Sequence, residues 1–188
     1  MTATPLAILD RDGVINHESD AFIKRPAEWL PIPGALEAIA RLSLAGWRVA
    51  IATNQSGLAR GLFDIDALNA IHAELMRRVQ AVGGGIDLIA FCPHGPDDDC
   101  DCRKPLPGLL QQIGCRFDRS LSGVPVIGDS WRDLEAARSV GARPILVLTG
   151  RGEQTRREHA DELVGTAVVD DLAAAVDLLL GEYAGRAR

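Results

Sequence analysis

The feature that most restricts what this chain can fold into is an alternation. Short, near-continuously apolar runs are separated by longer stretches with helical spacing. The runs read as strands are Leu6–Leu9, Val49–Ala52, Leu88–Phe91, Val124–Ile127, Ile145–Leu148 and Ala167–Val169. Runs that are apolar at successive positions suit strands covered on both faces of a parallel sheet. Between them Leu36, Ile39, Ala40 and Leu44 recur at helical spacing, as do Leu68, Ile71, Leu75, Val79 and Val82. Further helices are expected at Pro107–Phe117, Leu134–Val140, Thr155–Leu163 and Leu172–Leu180. Strands alternating with helices predict right-handed crossovers and an α/β three-layer sandwich around a mostly parallel, Rossmann-like sheet. A length of 188 residues fits one domain spanning 1–188, with no room for a separate cap domain. The tail Gly185–Arg188 is expected to fray.

Composition removes several classes of function. A net charge of -6 and an aromatic content of 4% leave no footprint for nucleic acid. No apolar run approaches the roughly 18 residues a membrane span needs. The N-terminus lacks a basic segment and an apolar leader, and Asp10 and Asp12 interrupt its first apolar run. The protein is therefore expected to begin near Met1 and to be cytoplasmic. No apolar stripe demands a partner, so a monomer is expected.

In open α/β sheets ligands bind beyond the carboxyl ends of the strands. Four polar groups stand there: Asp10-Arg11-Asp12-Gly13, Thr53-Asn54-Gln55-Ser56-Gly57, Arg103-Lys104-Pro105 and Gly128-Asp129-Ser130, with Asp133 just beyond. Each alone has an ordinary reading as a turn, a helix cap or a surface lysine. Together on one sheet edge they suit phosphoryl transfer through an aspartyl phosphate. Asp10 and Asp129 would hold Mg2+, a hard cation that takes oxygen ligands. Lys104 and the Thr53 hydroxyl would neutralise and orient phosphoryl oxygens. Two loops, Asn16–Pro33 and Cys92–Pro105, are too long for plain connectors and read as functional.

The second of these loops holds Cys92, His94, Cys100 and Cys102 within eleven residues. Three thiolates and an imidazole suit a closed, tetrahedral, structural Zn2+ site. Without the metal the loop has almost nothing apolar to bury, and the sheet core is expected to lie elsewhere. Cys115, on an apolar helix, is expected in the core. His17, His72 and His159 have no ligand partners in the pattern and read as structural or solvated.

The run Asp10-Arg11-Asp12-Gly13-Val14-Ile15-Asn16, with the three later groups in the same order, resembles the four motifs of the haloacid dehalogenase superfamily of phosphatases. The resemblance implies a nucleophile at Asp10 and a general acid/base at Asp12, whose backbone carbonyl would also bind Mg2+. It implies phosphate ligands at Thr53 and Lys104, a metal ligand at Asp129, and an Asp133 that orients Lys104 or a metal-bound water. On this reading Asp10 is ionised and Asp12 carries a raised pKa.

The zinc loop, of Cys-x-His…Cys-x-Cys-Arg-Lys-Pro type, resembles one branch of that superfamily. The branch contains the heptose-1,7-bisphosphate 7-phosphatases and the histidinol-phosphate phosphatases. Thr53–Gly61 looks like the heptose side, because histidinol phosphatases carry an acidic residue where Ser56 stands. Asp20–Gly34, with Phe22-Ile23-Lys24 and Glu28-Trp29, looks like part of a lid over a sugar. The implied substrate is a small-molecule sugar bisphosphate, met by Asn54, Gln55, Ser56, Arg103, Lys104 and Ser130; some relatives carry lysine at the last position. Histidinol phosphate is the alternative substrate.

Overall fold

A computed structural model of the chain describes residues 4–186. Six strands, β1 (Leu6–Leu9), β2 (Arg48–Asn54), β3 (Leu88–Cys92), β4 (Pro125–Gly128), β5 (Arg143–Val147) and β6 (Ala167–Val169), form one sheet in the order β3-β2-β1-β4-β5-β6. Every pairing is parallel, so every carboxyl end points to the same edge. The helices are α1 (Ala35–Leu44), α2 (Ile65–Ala81), α3 (Gly108–Arg116), α4 (Trp131–Ser139), α5 (Gly152–Glu158) and α6 (Leu172–Arg186).

Alternation along β1 divides the core into two layers. Ala7 and Leu9 face Ile39, Leu42, Ile71, Leu75 and Val176, which come from α1, α2 and α6. Leu6 and Ile8 face Leu109, Leu110 and Ile113 of α3 and Ala136 and Ala137 of α4. Because successive strand side chains point to opposite faces, a continuous apolar run is what a doubly covered sheet needs. The expected sandwich is present, and the only regular structure within Asn16–Pro33 is a 3-10 turn at Pro26–Glu28.

Several boundaries differ from expectation. Helix α5 covers Gly152–Glu158 rather than Thr155–Leu163. Its sequence offers little apolar spacing, and Leu163 joins Leu134 and Leu146 from a turn instead. Helix α4 begins at Trp131 because Ser130 and Asp133 form a capping box. Helix α6 continues through Gly185 to Arg186, so fraying does not begin there; residues 187–188, like Met1, lie outside the described residues. Cys115 is exposed, not in the core. It follows the buried Ile113 by two positions, about 200° around the helix.

Candidate active site

The strand order reverses between β1 and β4, and there the turn leaving β1 meets the turn leaving β4. The result is a crevice of about 320 Å³ that brings together all four sequence motifs. Asp10 follows β1, its N–H bonded to Ile127 O at 2.9 Å. Asp10 Oδ1 accepts from Arg11 N at 2.7 Å and lies 2.9 Å from Lys104 Nζ. The buried Lys104 ammonium also lies 2.6 Å from Asp133 Oδ1 and donates to Ala52 O at 2.7 Å. Asp133 therefore orients Lys104, as expected, while its Oδ2 accepts from Ser130 N and Oγ.

The remaining expected substrate ligands line the same crevice, but three have internal tasks. Asn54 Nδ2 donates to Lys104 O and Asn54 Oδ1 accepts from Lys104 N, so its amide holds the lysine's backbone. Gln55 Nε2 reaches both Asp12 Oδ2 and Thr53 Oγ1 at 2.9 Å. The Ser130 hydroxyl donates to Asp133. Thr53, Ser56, Arg103 and Lys104 lie in the wall with them. Phe22 and Ile23, expected in a lid, also line the crevice, whereas Trp29 is fully buried in the core and anchors that loop.

The two aspartates expected to carry the chemistry have the reverse of the expected electrostatics. Burial alone would raise Asp12, but the Arg11 charge and hydrogen bonds from Asn16, Arg11 and Gln55 outweigh it and hold the carboxyl below its ordinary value. Arg11 is 1% exposed, and its Nη2 lies 2.9 and 2.8 Å from the two Asp12 oxygens. Asp10, expected ionised, is pushed up to about 7 by burial and by the Asp133 and Asp12 charges, against the lowering effect of Lys104. Asp129 is pushed up to about 8 by burial and by Asp133 and Asp10. Oxygens of Asp10, Asp129 and Asp133 lie within 4.8 Å of one another. Such crowded, all-oxygen carboxylates fit a hard divalent cation, whose charge would restore their ionised forms.

The cysteine loop also has metal geometry. Sγ of Cys92 lies 3.2 Å from Sγ of Cys102 and 4.0 Å from Sγ of Cys100. His94 Nδ1 lies 3.5 and 3.3 Å from Sγ of Cys92 and Cys102. Tetrahedral zinc with thiolate bonds near 2.3 Å spaces its sulfurs about 3.8 Å apart, so the cluster is the right size. Burial pushes the Cys92 thiol up and Cys102 up to about 12, so adjacent thiolates there need a cation. One expectation needs correcting: Cys92 and Cys102 are buried with Leu109 and Leu110, so the loop does contribute to a core layer.

Sequence reasoning missed four contributors. Arg11 was read only as part of its motif, yet it cages Asp12. Arg60 and Arg132 line the crevice from the loop after β2 and from α4. A fifth strand end, Thr149-Gly150-Arg151 after β5, closes over Asp129. The signal was a glycine between two polar residues at a strand's carboxyl end.

His72, read as structural or solvated, is buried: it lies 3.4 Å through Nε2 from Arg11 Nη1 and is 7% exposed. Burial, then the Arg11 charge, push its pKa down to about 4, against Asp12. The folded protein therefore binds fewer protons than the unfolded chain between about pH 4 and 6.5, and stability falls as pH falls through that window. For one histidine the full loss across that window is roughly 3 kcal/mol. Denaturant midpoints at pH 5 and 7.5 should show His72→Gln with a flatter pH dependence; an unchanged profile contradicts this assignment.

Among known proteins, a HAD-hydrolase-like family model matches residues 101–175. The D-glycero-beta-D-manno-heptose-1,7-bisphosphate 7-phosphatase of Bordetella bronchiseptica is 56% identical over 177 residues, 94% of this chain and 98% of that protein. The Pseudomonas aeruginosa enzyme of the same name is 57% identical over 175 residues, 93% of this chain and 97% of that protein. The crystal structure of the B. bronchiseptica D,D-heptose 1,7-bisphosphate phosphatase, complexed with magnesium and phosphate, superposes with a TM-score of 0.91. That match covers 95% of this chain and 99% of the other.

Proposed function

The chain belongs to the heptose-1,7-bisphosphate 7-phosphatase family of haloacid-dehalogenase-like hydrolases, and on that footing we propose that it hydrolyses the C7 phosphate of D-glycero-D-manno-heptose 1,7-bisphosphate, a step in nucleotide-activated heptose synthesis for bacterial surface glycans. The observation that carries this reading is near full-length likeness to enzymes of that name, combined with a crevice that joins Asp10, Asp129 and Lys104. Histidinol phosphate is disfavoured as substrate: the relatives are heptose enzymes, and Ser56 offers no carboxylate to an amino alcohol.

Asp10, Asp129 and the Asp12 backbone carbonyl would hold Mg2+, which when bound would supply the charge that lets a carboxylate approach a phosphate. Asp10 attacks phosphorus and forms the aspartyl phosphate. Its Oδ1 is held by Arg11 N–H and Lys104, which leaves Oδ2 as the attacking oxygen. Lys104 and Thr53 neutralise and orient the phosphoryl oxygens. Asp12 protonates the departing C7 oxygen, then takes a proton from the water that attacks phosphorus and releases Asp10. The arginine cage suits Asp12 to the second role. For the first, Asp12 takes up a proton from solvent as the substrate binds, and the phosphate's negative charge favours that protonated form.

Arg103 receives the second phosphate. Its Nη1 donates to His94 O at 3.2 Å. Burial, then the neighbouring Arg132 charge, lower its pKa, and Arg60 adds to the effect. An anion placed among these three guanidiniums relieves their repulsion, and the planar fork suits phosphate oxygens. Arg103→Ala should cost about tenfold or more in kcat/KM on the 1,7-bisphosphate, with little loss on a small phosphate ester. Equal losses on both would remove Arg103 from the specificity role.

The protein acts in this reading as a single-domain monomer in the cytoplasm on a small-molecule sugar bisphosphate. No helix of the described residues is long and apolar enough to cross a membrane. The deciding experiment measures phosphate release with Mg2+ from the heptose 1,7-bisphosphate, its monophosphates and histidinol phosphate. Preference for the bisphosphate is expected; preference for histidinol phosphate would overturn the assignment.

A further inference from the structure

Asp129 Oδ2 lies in a slot between two glycines. A Cβ on Gly13 would stand 2.0 Å from that oxygen, and one on Gly150 would stand 2.1 Å from it. Both glycines have positive φ, +83° and +56°, which L side chains rarely adopt. One wall of the slot is the turn after β1; the other is Thr149-Gly150-Arg151 after β5. Thr149 Oγ1 donates to Gly13 O at 2.6 Å and joins the walls. Arg151 N–H donates to Asp129 Oδ2 at 2.8 Å, and Thr155 Oγ1 donates to Asp129 O at 2.9 Å. The carboxylate is thus gripped through one oxygen, and Oδ1 takes part in none of these bonds.

Arg151 also reaches in the opposite direction. Its Nε donates to Glu18 Oε2 at 2.9 Å, and its Nη2 lies 2.7 Å from Oε1. Glu18 stands in the Asn16–Pro33 loop and, with Arg151, lines the crevice. The two side chains are 45% and 31% exposed, so the pair adds little stability of its own. What it adds is a connection between the lid loop and the turn that holds a metal ligand.

We propose that Thr149, Arg151 and Glu18 are positioning residues for the divalent cation, coupling the seating of the lid loop to cation affinity. The inference rests on the reading that Asp10 and Asp129 hold Mg2+. Groups that orient a metal's ligands commonly change its affinity when altered. Coupling between two equilibria is also reciprocal, so the cation favours the seated lid as much as the seated lid favours the cation.

The test is calorimetric titration of Mg2+ alone into enzyme free of substrate and phosphate. Thr149→Val, close in shape but without the hydroxyl, should weaken Mg2+ binding about tenfold. Thr149→Ser, which restores the donor, should recover most of that loss. Glu18→Gln, a change at a partly exposed side chain that leaves the core intact, should weaken binding about fivefold. Limited proteolysis at Lys24–Arg25 reads the reciprocal effect: Mg2+ should protect the lid loop in the wild type and much less in Glu18→Gln. Wild-type Mg2+ affinity in both Thr149→Val and Glu18→Gln would overturn the proposal. A wild-type protein that binds no Mg2+ would instead overturn the Asp10–Asp129 reading beneath it.

Discussion

Asp10→Asn should abolish turnover, by about 10⁴-fold or more, while leaving a folded protein. An amide oxygen is a poor nucleophile toward phosphorus, and loss of a covalent nucleophile removes the step that splits the reaction in two. Two observations argue that the fold survives. Lys104, which pairs with Asp10, keeps its contacts to Asp133 Oδ1 and Ala52 O. The substitution also removes one of three crowded carboxylates whose burial pushes Asp10 up to about 7. Phosphate release and thermal unfolding on the same preparation check both halves. If the variant kept a tenth of wild-type activity, Asp10 would not be the nucleophile.

Loss of the zinc site should be the second large effect, about 100-fold in kcat/KM, because a misplacement near 1 Å costs about that much. Cys102 is followed directly by Arg103 and Lys104, and Arg103 donates to the carbonyl of the zinc-site residue His94. The Asn54 amide holds the Lys104 peptide groups from the β2 side, so the lysine has one anchor that needs no metal. The Arg103 side chain is held instead by the loop itself, at His94 O. Cys102→Ser should therefore damage the bisphosphate reaction more than a generic phosphatase reaction, and added Mg2+ should not rescue it. The variant should also unfold at lower temperature, since Cys92 and Cys102 pack with Leu109 and Leu110. Elemental analysis should find close to one zinc per wild-type chain. A zinc-free variant with normal kinetics would show that Asn54 alone positions the pair.

Much of this molecule was legible in the chain. Strand positions followed from unbroken apolar runs, because a strand buried on both faces has no polar side to interrupt them. The site followed from polar residues at the ends of those runs, because parallel strands deliver their carboxyl ends to one edge. The metal loop followed from ligand spacing within eleven residues, a local property. Boundaries were less legible: α5 slipped because its helix is stabilised by few apolar contacts, and Cys115 misled because an apolar helix still has a solvent face.

What the linear sequence determined by itself was therefore the α/β class, the four motifs on one edge and the clustering of cysteines and histidine in one short loop. Only the tertiary structure decided how charge is distributed among them. Asp12 was expected to be the raised carboxyl, yet the folded Arg11 guanidinium, Asn16 and Gln55 converge on it from different segments and lower it. Asp10 was expected to be ionised, yet packing β1 against β4 crowds it and Asp129 with Asp133 and raises both. Thr149 and Arg151 stand about 140 residues from Gly13, and Gly150 between them signals a turn at the sheet edge but not that the turn meets Asp129. Residue type and spacing specify which groups arrive at a site; a pKa or an orienting bond depends on distances between segments, and those exist only once the sheet has formed.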